Sequence, residues 1–111
     1  MIIFNGLNDS LIKESELINA LKMVIDPELN INIVDLGLVY CVGLDVDKKL
    51  LKVEMTLSSK FCPMGNSIVS ATKNCMKRMF SAYETNVELI WEPEWDYSFI
   101  SPEGLELLEK I

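Results

Sequence analysis

The spacing of apolar residues changes abruptly near the middle of this chain. Residues 51–57 alternate apolar and polar side chains, which is the period of a half-buried strand. After Pro63 the spacing becomes three or four residues, as on one face of a helix, at positions Ile68, Thr72, Cys75 and Met79. The chain must therefore fold with a strand followed directly by a helix, and the junction lies between residues 58 and 63.

Cys62 lies at this junction. Pro63 suits the first helical position, because its missing N–H would be unpaired there anyway, and Cys62 is then close to the helix N-cap. The positive end of the helix dipole and the free N–H groups favour the thiolate, and Lys60 would add to that effect. The thiolate is the form that attacks electrophiles or binds soft metals. The alternative is a cysteine that only fills a helix-start position.

Similar patterns predict the other elements. A first helix is expected from about Ser10 or Lys13 to Ile25, where Asp26-Pro27 stops it, because a residue before proline avoids the helical region. The remaining elements are a hairpin with strands at 38–44 and 50–58, a helix over 63–81, a strand over 86–91 and a short last helix from Ser101-Pro102. The fold class is α/β (α+β), with the order α-β-β-α-β-α in two layers and helices on one face of a small mixed sheet.

Composition limits the class of protein. A chain of 111 residues, half of them apolar, predicts one domain over residues 1–111. No apolar run approaches the roughly 18 residues of a membrane helix. The apolar stretch in residues 1–6 is too short for the hydrophobic region of a signal sequence. We therefore expect a cytoplasmic protein without a membrane partner. The three cysteines are far apart and odd in number, which disfavours a disulfide framework.

The net charge of −7 lies entirely at one end of the chain. Residues 1–83 carry nine acids and nine bases, whereas residues 84–111 carry eight acids and only Lys110 as a base. Such a surface repels phosphate backbones, so a nucleic-acid partner is not expected. The acidic end is either a solvated tail or a docking surface for a basic partner. Its aromatic residues either fold back over the sheet or anchor an interface: Trp95, Tyr97 and Phe99.

The chain has no histidine, which excludes several kinds of site. A Cys-His or Ser-His nucleophile pair cannot be built within it, nor can a zinc site of the Cys/His type. Cys75 falls on the apolar stripe of the second helix, so we predict that it is buried in the core. Cys41 falls in a predicted strand, and we predict a structural role for it as well.

Polar residues in two other segments could form a pocket with the Cys62 thiol. Ser58 and Ser59 bring hydroxyl groups to the end of the second strand. Asp26 and Glu28 supply two carboxylates after the first helix, where their alternative role is simply to end that helix. Convergence of these groups at one end of the sheet would make a small polar pocket.

Four segments together resemble a known family. They are Ile25-Asp26-Pro27-Glu28-Leu29, Ile33-Val34-Asp35-Leu36-Gly37-Leu38-Val39-Tyr40, Met55-Thr56-Leu57-Ser58-Ser59 with Cys62-Pro63-Met64-Gly65, and Trp91-Glu92-Pro93-Glu94-Trp95. In this order they are similar to the SufT/PaaD-like family of iron–sulfur cluster assembly factors, which includes a eukaryotic cytosolic branch. The resemblance covers about residues 13–108 and implies the fold of a cluster assembly domain.

The resemblance also implies site residues. The family's pocket positions would be Asp26, Glu28, Ser58, Ser59 and Cys62, with Asp35 and Thr56 as nearby supports. The chain departs from the family where Ser58 and Ser59 replace a frequent threonine. It departs again at Lys60, where the family commonly has a small residue or proline.

Three hypotheses follow. The first is a maturation factor without turnover, acting as a carrier or adaptor between iron–sulfur assembly proteins and apo-target proteins. Cys62 alone cannot supply the four thiolates of a typical cluster, so a transient iron–sulfur cluster would be shared across a homodimer or with a partner or small thiol. The second is an enzyme with Cys62 as nucleophile and Asp26 or Glu28 as acid/base. The third is a pure adaptor with an acidic docking tail.

Overall fold

The computed structural model describes residues 2–8, 10–58 and 65–109. The strands are β1 (Ile3–Asn5), β2 (Ile25–Asp26), β3 (Ile31–Asn32), β4 (Val39–Asp45), β5 (Leu50–Met55) and β6 (Glu84–Leu89), and the helices are α1 (Glu14–Leu21), α2 (Gly65–Met79) and α3 (Pro102–Glu109). Four strands form one mixed sheet in the order β1-β4-β5-β6, and β2 and β3 form a separate antiparallel hairpin. The predicted fold class is confirmed, with three short strands added to the predicted order.

The sheet has one buried and one open face, as the alternation in β5 predicted. Leu51, Val53 and Met55 are fully buried, whereas Lys52 and Glu54 point to the opposite side. Burial of each of these three side chains stabilises the fold by about 1.5–3 kcal/mol. Strand register places eight residues on the opposite side, which we call the open face: Ile3, Asn5, Cys41, Gly43, Lys52, Glu54, Asn86 and Glu88.

Helices α1 and α2 cover the buried face. From α1, Leu17, Ala20 and Leu21 enter the core, and from α2 the buried residues include Ile68 and Met76. The two helices pack against each other, and α2 also packs against β6. Helix α3 differs from the prediction of one helical layer, because it packs against β3 of the small hairpin. Among the described residues, none of the helices is long and apolar enough to cross a membrane.

The first helix is shorter than predicted. It ends at Leu21 and not at Ile25, because the backbone tightens into a turn in which the amides of Met23 and Val24 donate to the carbonyls of Ala20 and Leu21. The Val24 carbonyl then accepts a hydrogen bond from the Ile33 amide at 3.0 Å. Backbone groups that would continue the helix are therefore used by the β2–β3 hairpin. Asp26-Pro27 does not end the helix, as it was expected to do, but begins the turn of that hairpin.

Other boundaries also differ from the sequence-based expectations. Strand β1 was not predicted, because three residues are too few to show a period and its pairing with residues 41–43 is long-range. Strand β6 begins at Glu84, two residues before the expected position, and β5 ends at Met55. Helix α2 ends at Met79. Its expected start at Pro63 lies outside the described residues.

The C-terminal segment folds back onto the rest of the protein. Trp95 packs against the core, and its Nε1 donates to the Leu36 carbonyl at 2.7 Å. The ring of Phe99 makes an edge contact with Tyr40, with 6.0 Å between centroids. Tyr97 remains 66% exposed. Trp95 therefore folds back onto the protein, which is one of the two expected alternatives, whereas Tyr97 and Phe99 stay exposed. The last helix begins after Ser101 as predicted.

Candidate functional site

Asp26 is buried and holds the tip of the β2–β3 hairpin. Its Oδ1 accepts hydrogen bonds from the amides of Glu28 at 2.8 Å and Leu29 at 3.2 Å. Its carbonyl accepts from the Asn30 amide at 2.7 Å, and Asn30 has a φ of 59°, which completes a tight turn. Only 1% of Asp26 is exposed. The carboxylate thus fixes the backbone that carries Glu28, and the Glu28 side chain is exposed at the tip.

Asp35 lies in the turn that leads into β4. Its Oδ2 accepts from Asn32 Nδ2 at 2.7 Å, and its amide donates to Asn32 Oδ1 at 2.9 Å. Its Oδ1 accepts from the Ser101 hydroxyl at 3.0 Å, so one carboxylate joins the hairpin, the turn and the start of α3. Gly37 follows with a φ of 76°, and a side chain there would collide with the backbone of Phe99. Asp35 therefore stabilises this part of the fold, whereas its expected role as a support of the pocket stays a prediction.

Thr56 and Ser58 continue the chain beyond the end of β5. Thr56 is fully buried, and its amide donates to the Leu38 carbonyl at 2.8 Å, which extends the pairing with the β4 side of the sheet. Its Oγ1 has no hydrogen bond of good geometry within the described part of the chain. Burial raises the pKa of the Tyr40 hydroxyl, and the nearby Thr56 hydroxyl offsets part of that rise. Ser58 is half-buried.

The remaining predicted site residues, Cys62 and Ser59, lie outside the described residues, as does Lys60. The convergence of the thiol with the carboxylates and hydroxyls therefore stays a prediction. The structure does place Asp26 and Glu28 together in one turn, with the side chain of the first bonded to the amide of the second. It places Asp35 in a separate network with Asn32 and Ser101.

The two described cysteines have different surroundings. Cys75 is 4% exposed, and its Sγ donates to the Ala20 carbonyl at 3.2 Å, which confirms its predicted place in the core. Cys41 lies on the open face, where Asn5 Nδ2 donates to its Sγ at 3.4 Å. Burial raises the pKa of the Cys41 thiol and the Glu54 carboxylate raises it further, against smaller opposite effects of Asn5 and Lys52. These effects disfavour the Cys41 thiolate, and the side chain is half-exposed.

Comparison with known sequences identifies the family with these features. The family model described as iron–sulfur cluster assembly protein matches residues 14–89. The chain is 44% identical over 79 residues to the Fe–S protein maturation auxiliary factor SufT of Staphylococcus aureus (strain USA300), covering 71% of this chain and 89% of that protein. It is 39% identical over 82 residues to the Fe–S protein maturation auxiliary factor YitW of Bacillus subtilis (strain 168), covering 74% of this chain and 79% of that protein.

A solved structure confirms the fold. The crystal structure of a domain of unknown function, DUF59, from Bacillus anthracis superposes with a TM-score of 0.81 and 36% sequence identity, covering 86% of this chain and 91% of that chain. The family resemblance inferred from four short motifs is therefore confirmed. The matched range of residues 14–89 contains every predicted pocket residue and both supports.

Proposed function

This chain belongs to the iron–sulfur cluster assembly protein family, and on that premise we propose that it matures iron–sulfur proteins as a carrier or adaptor to apo-proteins. The observation that carries this proposal is its 44% and 39% identity to two proteins described as Fe–S protein maturation auxiliary factors. Its partners would be iron–sulfur assembly proteins and apo-target proteins. The site of action would be the cytoplasm.

The arrangement of thiols supports temporary binding of a cluster as cargo. A typical cluster takes four thiolate ligands, and this chain has three cysteines. Cys75 lies beneath α1 in the core, and Cys41 lies on the opposite, open face of the sheet. Those two sulfurs therefore cannot serve one cluster together. A cluster held by Cys62 would share its ligands with a second subunit, a partner protein or a small thiol, and such shared ligation favours release to an apo-protein.

The hairpin tip supports a role in contact with a partner. Because Asp26 Oδ1 accepts hydrogen bonds from two backbone amides, this oxygen orients the turn. The turn then presents the carboxylate of Glu28 at the surface. In this proposal Glu28 contacts the partner from a pre-ordered backbone, and Asp26 acts as a positioning residue.

Complementation of cells that lack the gene tests the proposal. The activity of an iron–sulfur enzyme would be measured after expression of the wild type, Cys62→Ala or Ser70→Ala, together with anaerobic reconstitution of each purified protein. We expect the wild type and Ser70→Ala to restore enzyme activity and Cys62→Ala to fail. Ser70→Ala is the control, because it changes an exposed side chain of α2 outside the proposed pocket.

Two results would count against parts of the proposal. Failure of the wild-type chain to restore the activity of any iron–sulfur enzyme would overturn the maturation role. Full restoration by Cys62→Ala would remove the thiol from the mechanism and leave a pure adaptor.

A further inference from the structure

A groove of about 450 Å³ lies between the open face of the sheet and the C-terminal segment that follows β6. The residues that matter for its chemistry come from β1, β4, β5 and the segment 90–99: Ile3, Cys41, Glu54, Ile90, Glu92 and Phe99. Its size is within the range of about 300–1,000 Å³ typical of ligand pockets. The groove is separate from the Asp26 turn, and the proposed function does not use it.

The walls of the groove are apolar but open to solvent. Ile3 is 61% exposed and Phe99 is 36% exposed, so large apolar side chains lie at the surface on both sides. Direct contacts join the rim to the sheet: the Tyr40 hydroxyl donates to the Pro93 carbonyl at 2.8 Å, and the Tyr40 ring makes an edge contact with Phe99. An exposed apolar surface with a polar rim is typical of an interaction site.

The charge of the groove is negative. Its lining includes Glu54 and Glu92, and within the described part of the chain it includes no lysine or arginine. The neighbouring base on the open face, Lys52, is paired with Glu88 at 2.9 Å and lies farther, at 3.9 Å, from Glu54 Oε1. Among the described residues, Glu92 is therefore the groove acid without an ion pair. The segment that forms one wall belongs to the acidic end of the chain, with eight acids against one base over residues 84–111. An occupant that complements this surface must therefore carry positive charge beside an apolar group.

The edge of the sheet at β1 favours a peptide as the occupant. Strand β1 pairs with β4 and is the end strand of the sheet order. Such an edge strand can pair through its backbone with an extended segment of another chain.

We propose that this groove docks a short basic and apolar segment of a partner protein, with one large apolar side chain between Ile3 and Phe99 and lysine or arginine opposite Glu54 and Glu92. The inference deepens the proposed function and rests on it only for the source of the segment, an assembly protein or an apo-target. The docking itself depends on the geometry and charge of the groove.

Binding of a defined peptide tests the inference. The probe is a fluorescein-labelled hexapeptide with a central tryptophan flanked by lysines, and the measurement is fluorescence anisotropy with the full chain at low salt. We expect Glu92→Lys to weaken binding by about tenfold, because it replaces an attraction with a repulsion. The matched control is Glu94→Lys, which reverses an exposed charge outside the groove and should change binding by about twofold or less.

A second pair of variants tests the apolar wall. Ile3→Ser should weaken binding by about fivefold, because it removes exposed apolar contact area from the groove. Leu11→Ser is its control, since Leu11 is 96% exposed and does not line the groove. Raising the salt concentration should weaken the wild-type complex, since it screens the charge attraction.

Several results would overturn docking of a basic segment. They are absence of binding, equal binding by Glu92→Lys and Glu94→Lys, or equal binding of a peptide with glutamates in place of the lysines. A protein that sediments as a dimer through this face, and as a monomer after Ile3→Ser, would show that a second copy is the occupant. None of these results involves enzyme maturation. A negative result in the peptide experiment would therefore reject docking in the groove without rejecting the proposed maturation role, which the complementation experiment tests separately.

Discussion

The hydroxyl of Ser101 donates a hydrogen bond to Oδ1 of Asp35 at 3.0 Å, across 66 residues of sequence. The same hydroxyl accepts from the Gly104 amide at 3.0 Å and so caps α3. The Ser101 amide also donates to the Asp35 carbonyl at 2.8 Å. One residue therefore starts the last helix and attaches it to the turn that leads into β4, beside the hairpin that carries Asp26.

Replacing Ser101 by alanine should destabilise the protein by about 1–2 kcal/mol, because both the cap and the bond to Asp35 are lost. The free energy of unfolding from urea titration is the measurement. Ser70→Ala is the control, since Ser70 is exposed within α2 and should change stability by less than about 0.5 kcal/mol. If Ser101→Ala unfolded at the wild-type urea concentration, the attachment would have no energetic role.

Gly104→Ala should also destabilise the protein, although alanine is the better helix former. A Cβ at position 104 would lie 2.7 Å from the Asp35 carbonyl oxygen and 2.7 Å from Ile100 Cγ2. We expect a net loss of about 1–2 kcal/mol, because crowding costs more than the roughly 1 kcal/mol gained in helix propensity. In contrast, Gly43→Ala adds a Cβ with no atom within 4 Å and should be neutral or slightly stabilising. Thermal unfolding of both variants checks this pair, and equal melting temperatures would contradict it.

Asp26→Ala should destabilise the hairpin tip by about 1–3 kcal/mol, because the amides of Glu28 and Leu29 lose their buried acceptor. Asp26→Asn keeps an acceptor oxygen and should lose less. Urea titration measures the stability of both variants, and complementation measures their function. A stable Asp26→Asn protein that supports maturation would assign Asp26 to positioning, whereas a stable but inactive one would show that the charge itself is needed.

The Cys41 thiol should react with iodoacetamide with a midpoint above the ordinary cysteine pKa of about 8.5. The pKa of the thiol is raised because burial and the Glu54 carboxylate both disfavour the thiolate. The hydrogen bond from Asn5 and the charge of Lys52 lower the pKa by smaller amounts. Glu54→Gln should therefore move the midpoint down, and Asn5→Ala should move it up. Mass spectrometry of the Cys41 peptide across a pH series follows this residue separately from the other cysteines. A midpoint at or below that of a free cysteine would contradict the prediction.

Sequence patterns correctly predicted the elements that can be recognised from residues close together in the chain. The alternation in 51–57 predicted β5 and its two faces, and the serine–proline pair predicted the cap of α3. The place of Asp26 in a pocket stays a prediction, and its bonds to the amides of Glu28 and Leu29 belong to a hairpin turn that periodicity did not reveal. The groove was also missed. Its only signals were the polar alternation of the open face and the aromatic tail.

By itself, the sequence determined the strand-to-helix order, the buried face of β5, the acidic end and, through its motifs, the family. These properties can be recognised within short stretches of sequence, because they depend on the types and spacing of neighbouring side chains. Only the tertiary structure decided that residues 3–5 pair with residues 41–43 and that the segment from Ile90 to Phe99 closes a groove over the open face. Contacts such as Asn5 with Cys41, 36 residues apart, and Asp35 with Ser101 arise when the whole core packs, because no local pattern specifies which distant partner satisfies a given group.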